Sequence, residues 1–358
     1  MTRFLAAALL ASLTLLSMPA RADGIDDLLS KGEQAFVAGD QKGALEYFIQ
    51  ATEADADRWE GFYYAGMVLH VMGKADEAVE MYEKAIAIKP DASEALNNLS
   101  VLLLESGKLE EALAASKKAV EADPENFEAA YTRGEILENL GRLEEAIEAY
   151  QASADIAAGD PDPLLAVADI SLSLGKKKQA ARALADAFTR APHQLDIGLM
   201  ALELMQETGL DKEALSLALK ISKRIGPKAS KNVKAAFRVA RVLRLLGDPA
   251  AALDLLSKLP AEALATFSVQ TEMGLSHLAL GSCKKASKAF CRALKAKPGN
   301  PAALVAKADA LCCAGKWWKA KKAYKKFLKT AAKDDPHVSA VKKKLKKGTY
   351  KSCKKKKK

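Results

Sequence analysis

The stretch WEGFYYAGMVLHVMGKADEAVEMYEKAIAIKP, Trp59 to Pro90, decides how the rest of the chain is read. Its second half sets Ala78, Tyr82 and Ala85 at a spacing that puts all three on one face of a helix. Gly73 precedes that helix as a turn, and Pro90 follows it as a stop, because proline cannot continue a helix. The first half carries Gly66 seven positions before the turn, a small residue among bulky ones. The pattern predicts two helices, A before Gly73 and B after it. Small side chains stand where their backbones approach.

Outward from this unit the turn glycine recurs at Gly39, Gly73, Gly107, Gly141, Gly175, Gly209, Gly247, Gly281 and Gly315. Every interval is thirty-four residues except the thirty-eight between Gly209 and Gly247. A period of about 34 is the signature of stacked helix–turn–helix repeats. Five residues after each glycine stands alanine: Ala44, Ala78, Ala112, Ala146, Ala180, Ala214, Ala252, Ala286 and Ala320. Nine after it the residue is bulky in Phe48, Tyr82, Tyr150, Leu184, Leu256, Phe290 and Tyr324, with Ser116 and Ala218 as exceptions. Seven before it small residues dominate, as in Gly32, Gly66, Ser100, Gly134, Ala168 and Gly274. Pro124, Pro192 and Pro298 close further units as Pro90 does.

On these residues the chain resembles the tetratricopeptide repeat family over roughly 25–330, in nine consecutive units. Trp59 to Gly66 with Ala78, Tyr82, Ala85 and Pro90 carry the match, and repeats three, four and eight follow it closely. Repeats six and seven are weakest. There Leu202 replaces the small residue, Ala218 the bulky one, and four residues are inserted around Ile225–Lys231. The resemblance implies an all-α fold, a right-handed α-solenoid of about nine helix–turn–helix repeats. An aromatic content of 6% and a hydrophobic content of 49%, much of it alanine, suit close-packed helices.

The resemblance also implies that helices A line a concave groove, with residues two, three, six and ten before the turn glycine pointing into it. Those positions hold Glu33, Tyr63, His70, Asn97, Tyr131, Glu135, Glu138, Asp169, Glu203, Gln206 and Glu207. In repeat seven they hold Phe237, Arg241 and Arg244, with Lys234 and Arg238 nearby, so the groove is expected to turn from acidic to basic. The family's carboxylate clamp for acidic peptide ends needs lysine and asparagine at set groove positions. Only Asn97 and Asn98 suggest it, so that activity is not carried over. A solvated charged face is the plainer alternative.

The N-terminus reads as a signal peptide over 1–22: Arg3, the apolar Phe4 to Leu16, then Ala20-Arg21-Ala22 as the cleavage site. That places an exported protein in the periplasm of a Gram-negative source, or outside the cell otherwise. The solenoid is expected over 23–332. Asp335-Pro336 then opens a capping helix, 333–347, with Val338, Val341 and Leu345 as its apolar stripe. A Lys-rich tail, 348–358, closes the chain, kept unfolded by like charge.

The net charge of +10 conceals a separation. Residues 220–358 hold 36 basic and 7 acidic side chains, while residues 1–219 hold 19 basic and 38 acidic ones. A polyanion or an anionic membrane surface is therefore a candidate partner for Lys342, Lys343, Lys344, Lys346, Lys347, Lys354, Lys355, Lys356, Lys357 and Lys358. Nucleic acid is disfavoured by the export signal. Head-to-tail self-association through the charge separation is a further possibility.

All five cysteines lie in the basic part. Antiparallel helices return the end of helix A in repeat nine to the start of helix B in repeat eight. Cys283 can then bridge Cys312 or Cys313, the alternative being buried free thiols. The four histidines follow no metal-ligand spacing, no phosphate loop appears, and no nucleophile–base pair can be nominated. No cofactor or metal is expected. The sequence points to an exported, non-catalytic scaffold that takes a protein or peptide in its groove. An envelope protein anchored through its basic end and a self-assembling scaffold are the alternatives.

Overall fold

The structure is a computed structural model, and it describes residues 24–332 and 334–346. The signal segment, Lys347, the Lys354 to Lys358 tail and Cys353 lie outside the described residues. These hold twenty α-helices, one 3-10 turn and no strand. They fall into two compact units, Met1–Lys176 and Lys177–Lys358.

The first unit contains α1 (Gly24–Val37), α2 (Gln41–Ala54), α3 (Trp59–Val71), α4 (Ala75–Ile88), α5 (Ser93–Glu105), α6 (Leu109–Ala122), α7 (Phe127–Asn139), α8 (Leu143–Ile156) and α9 (Asp162–Ser173). Each helix packs on the next, and α5 also touches α3 and α7, the helices A on either side of it. That neighbour-only pattern is an α-solenoid.

Each helix A ends the same way. The Gly73 N–H donates to the His70 carbonyl and the Lys74 N–H to the Leu69 carbonyl, both at 2.9 Å. This paired closure needs a left-handed residue at its corner, and Gly73 supplies it with φ +75°. The glycine period is thus the period of a helix stop. Beyond the stop, the nine alanines five residues on are all wholly buried at 0% exposure.

The second unit contains α10 (Lys177–Arg190), α11 (Leu195–Glu207), α12 (Asp211–Ile225), α13 (Val233–Leu245), α14 (Pro249–Ser257), α15 (Ala261–Leu264), α16 (Phe267–Ala279), α17 (Cys283–Ala296), α18 (Pro301–Cys313), α19 (Trp317–Thr330) and α20 (His337–Lys346). The insertion after α12 forms the 3-10 turn Gly226–Lys228. Repeat seven departs from the pattern in a second way. Its helix B, α14, stops after nine residues, and Pro260 in extended conformation leads into the short α15. Asp248 caps α14 by accepting the Ala251 N–H at 2.9 Å.

The capping helix is described over His337–Lys346. The Asp335 carboxylate accepts the His337 N–H at 2.9 Å, which fixes the helix start there. Val341 is fully buried against Leu304, Tyr324 and Phe327, with Val338 and Leu345 beside it. The apolar stripe therefore closes the last repeat's core, as a terminal cap must.

Candidate functional site

In the first unit helices A of repeats three to five frame an open cleft of about 590 Å³. Leu104 and Glu105 come from α5, Tyr131, Glu135, Glu138 and Asn139 from α7, Tyr150 from α8, and Ala166 and Asp169 from α9. Four of these nine residues are acids and none is basic. Residues on α7 three, six and ten before Gly141 reach this cleft because they share one stripe of the helix.

The electrostatics follow from burial. Glu135 is half-buried, and burial together with the neighbouring Glu138 raises its carboxyl above the ordinary carboxylate value. Tyr131 packs edge-on against Tyr150 with ring centres 5.1 Å apart. Burial pushes the Tyr131 phenol up to about 12, with Glu135 adding to the effect. The Tyr150 hydroxyl donates to Glu138 at 3.0 Å. Glu105 of the cleft is met by His70 Nε2 at 3.1 Å. Such a wall attracts a cation, and a bound cation would relieve the cost of burying Glu135.

The acidity extends beyond the cleft. Burial, then Glu94, raises the Glu128 carboxyl. Glu94 and Glu128 both stand thirteen residues before a turn glycine. Neither they nor Glu105 were among the residues singled out from the sequence. Glu105 occupies the same position before its glycine as Glu207, so the signal for it was present.

The second unit has its own smaller cleft of about 280 Å³, lined by Leu199, Leu202, Glu203 and Gln206 of α11 and Arg238, Arg241, Val242 and Leu245 of α13. Arg238 pairs with Glu203 across it. The expected reversal of sign is therefore partly neutralised in place, and Arg241 is the remaining cation of the wall.

Several expected groove residues do other work. Tyr63 is only 8% exposed and ringed by Trp59, Tyr64 and Tyr82, so it is core and not groove wall. Asn97 is only 6% exposed. Glu207 is tied to Lys177 at 3.0 Å. Arg244 is held by Glu272, whose side chain is only 6% exposed, so this arginine belongs to the packing of α13 on α16. Glu33 and Phe237 are half-buried and line neither cleft.

At the C-terminal end Cys283 is bridged to Cys313, with the Cα atoms 5.6 Å apart. Of the two partners weighed for Cys283, Cys313 takes it, and Cys291 is a free thiol. Lys342, Lys343 and Lys346 are exposed on α20. Lys344 is not available to a ligand in the same way, since it pairs with Asp309 of α18 and lies over the Tyr324 ring. Among the described residues no group of three metal-ligating side chains gathers, and no helix is long and apolar enough to cross a membrane.

A family model described as tetratricopeptide repeat matches residues 29–93, 97–161 and 271–336, more than half of the chain. A second of the same description matches 62–125. The weakest repeats, six and seven, lie outside both matches. Among solved structures, MamA from Desulfovibrio magneticus RS-1 is 21% identical, with 49% of this chain and 99% of that chain covered at a TM-score of 0.43. YrrB, described as a TPR protein with an unusual peptide-binding site, is 23% identical, with 50% and 90% covered at 0.40. A tetratricopeptide repeat protein from Parabacteroides merdae ATCC 43184 is 16% identical, with 80% and 98% covered at 0.42. No curated protein matches the chain.

Proposed function

This chain belongs to the tetratricopeptide repeat family, commonly a scaffold for protein interaction, and from that premise we propose that it is an exported, non-catalytic scaffold holding a basic segment of a partner protein. The observation that carries the reading is the first unit's cleft, whose wall offers Glu135, Glu138 and Asp169, with Glu105 already met by His70, and has no basic residue in its lining. A lysine or arginine of the partner enters between these carboxylates and lies along the Tyr131 ring. A preformed cleft lowers the ordering cost of binding an extended segment.

The test is a fluorescent peptide of alternating lysine and alanine, titrated against the mature protein. Glu135→Lys with Glu138→Lys is expected to weaken binding by about tenfold or more. Equal affinity for the double variant would remove the cleft from the proposal.

Export rests on the leader at 1–22, and the Cys283–Cys313 bridge suits an oxidising compartment. Cell fractionation with N-terminal sequencing tests it, with Asp23 expected as the first residue and the periplasm as the location in a Gram-negative source. A second reading is favoured by the charge of the C-terminal repeats. Between residues 273 and 346 the only acids are Asp309, Asp334 and Asp335, and Asp309 is already engaged by Lys344. These repeats hold the protein on an anionic surface of the envelope while the cleft recruits the partner.

A further inference from the structure

We infer that the outer side of α17 and α19 is a docking face for an anionic lipid bilayer, with Trp318 as the side chain that enters the headgroup region. The inference rests on the reading that the C-terminal repeats sit on an anionic surface, and adds to it the ligand class and the inserting residue.

The two helices B of repeats eight and nine bury the same offsets from their turn glycines: Ala286, Phe290 and Ala293 in α17, and Ala320, Tyr324 and Phe327 in α19. Both pack on α18. The opposite side of each helix is therefore equivalent in the two repeats. On α17 it presents Lys285, Lys288, Arg292 and Lys295, and the same four offsets on α19, from Lys319 to Lys329, hold lysine every time. All eight are exposed, and none is in an ion pair among the described residues. The result is two register-matched basic rows on consecutive outer helices. The repeat itself does not demand this: in α8 the same four offsets read Glu145, Glu148, Ala152 and Asp155.

Charge complementarity alone would suit any polyanion. Trp318 favours a bilayer. It stands next to Lys319, at the head of the α19 row, and is 65% exposed, the joint largest exposure among the described large hydrophobic side chains. An indole with an apolar body and one N–H is at home at the boundary of headgroups and acyl chains. Lysine stems can lie beside it while their ammonium groups stay among the phosphates. The indole is also held in place. Trp317 lies against it at a tilt, with ring centres 3.9 Å apart, and the Cys283–Cys313 bridge ties the start of α17 to the end of α18, at the corner from which α19 begins.

The test uses the mature full chain with phosphatidylcholine vesicles, with and without phosphatidylglycerol, and with phosphatidylglycerol brominated on its acyl chains. Heparin and a single-stranded oligonucleotide serve as soluble polyanions. Binding is expected only with phosphatidylglycerol present, and K288E with K322E is expected to lower it at least about twenty-five-fold, at about fivefold per charge removed. W318A is expected to lower it about tenfold while leaving heparin binding unchanged. Brominated lipid is expected to quench the wild type more than W318F, which keeps Trp59 and Trp317. Lysine-dependent vesicle binding that ignores W318A and shows no extra quenching would overturn the insertion and leave the surface reading standing. Binding to heparin or the oligonucleotide without binding to vesicles would overturn the bilayer. Binding to none of the probes would overturn both. Thermal unfolding of W318A, a change at an exposed site, checks that the fold is intact.

Discussion

Gly66 lies under the ring of Tyr82: a Cβ on the glycine would stand 2.8 Å from the ring edge. The same pair, seven before the turn and nine after it, recurs as Gly134 with Tyr150 and Gly274 with Phe290. Helix A yields a hole and helix B of the same repeat fills it. Repeat six inverts the pair, with Leu202 at the hole position and Ala218 at the ring position, both buried. The bulky and the small residue thus exchange helices in this repeat.

Gly66→Ala is therefore expected to destabilise the first unit by about 1–3 kcal/mol, despite the better helix propensity of alanine. Tyr82→Leu in the same chain should recover most of the loss. In repeat six Ala218→Tyr should be damaging alone and tolerated with Leu202→Gly. Denaturant midpoints of the single and double variants measure the coupling, and additive effects would contradict the fit.

The first unit's cleft should respond to pH through Glu135. Burial raises its folded value above the ordinary 4.5. The protonated form is thus the better accommodated one, and this group favours folding most below the unfolded value. That contribution fades as pH rises from about 4.5 through the raised folded value, leaving a cost at neutral pH. Glu135→Gln should raise the unfolding temperature at neutral pH and lose that advantage in acid.

Binding should run the other way. A cationic peptide favours the ionised carboxylate, so its affinity should climb across the same window and its binding should release protons. Calorimetry in buffers of different ionisation enthalpy reads that release. A pH-independent affinity would mean that the cation does not reach Glu135.

Arg244 and Glu272 form a pair with side chains 17% and 6% exposed. Arg244→Ala leaves a carboxylate buried without its partner and should cost about 3–5 kcal/mol. Arg244→Met with Glu272→Leu should recover most of it. By contrast Lys177→Ala, at an exposed pair with Glu207, should change stability by about 1 kcal/mol or less. Chemical denaturation of the three variants separates the structural arginine from a ligand-binding one.

The Cys283–Cys313 bridge spans a sequence separation of 30. A loop of that length predicts about 3–4 kcal/mol of stabilisation from the restricted unfolded chain. Cys283→Ser should lower protection against hydrogen exchange in α17 to α19 and leave the first unit's helices unchanged.

The repeat, its turn and its buried alanines were legible because each is a column that reappears nine times in the sequence. The cleft was legible only in part. Tyr63 and Tyr131 occupy the same column, yet Tyr63 is covered by three neighbouring aromatic rings while Tyr131 faces the open side between α7 and α9. A column tells which way a side chain leaves its helix, not what the next helix sets opposite it. The same limit applies to Glu207, Arg244 and Lys344. Each points as its position implies, and each is met by a partner on another helix, Lys177, Glu272 and Asp309, that periodicity does not name.

The hole and the ring that fills it both lie within one stretch of thirty-four residues. This fit is therefore internal to each unit, while Gly61 against Thr52 and Gly198 against Phe188 make a second close approach between neighbouring units. A repeat can thus trade which of its two helices is bulky, as Leu202 and Ala218 do, and keep both positions buried.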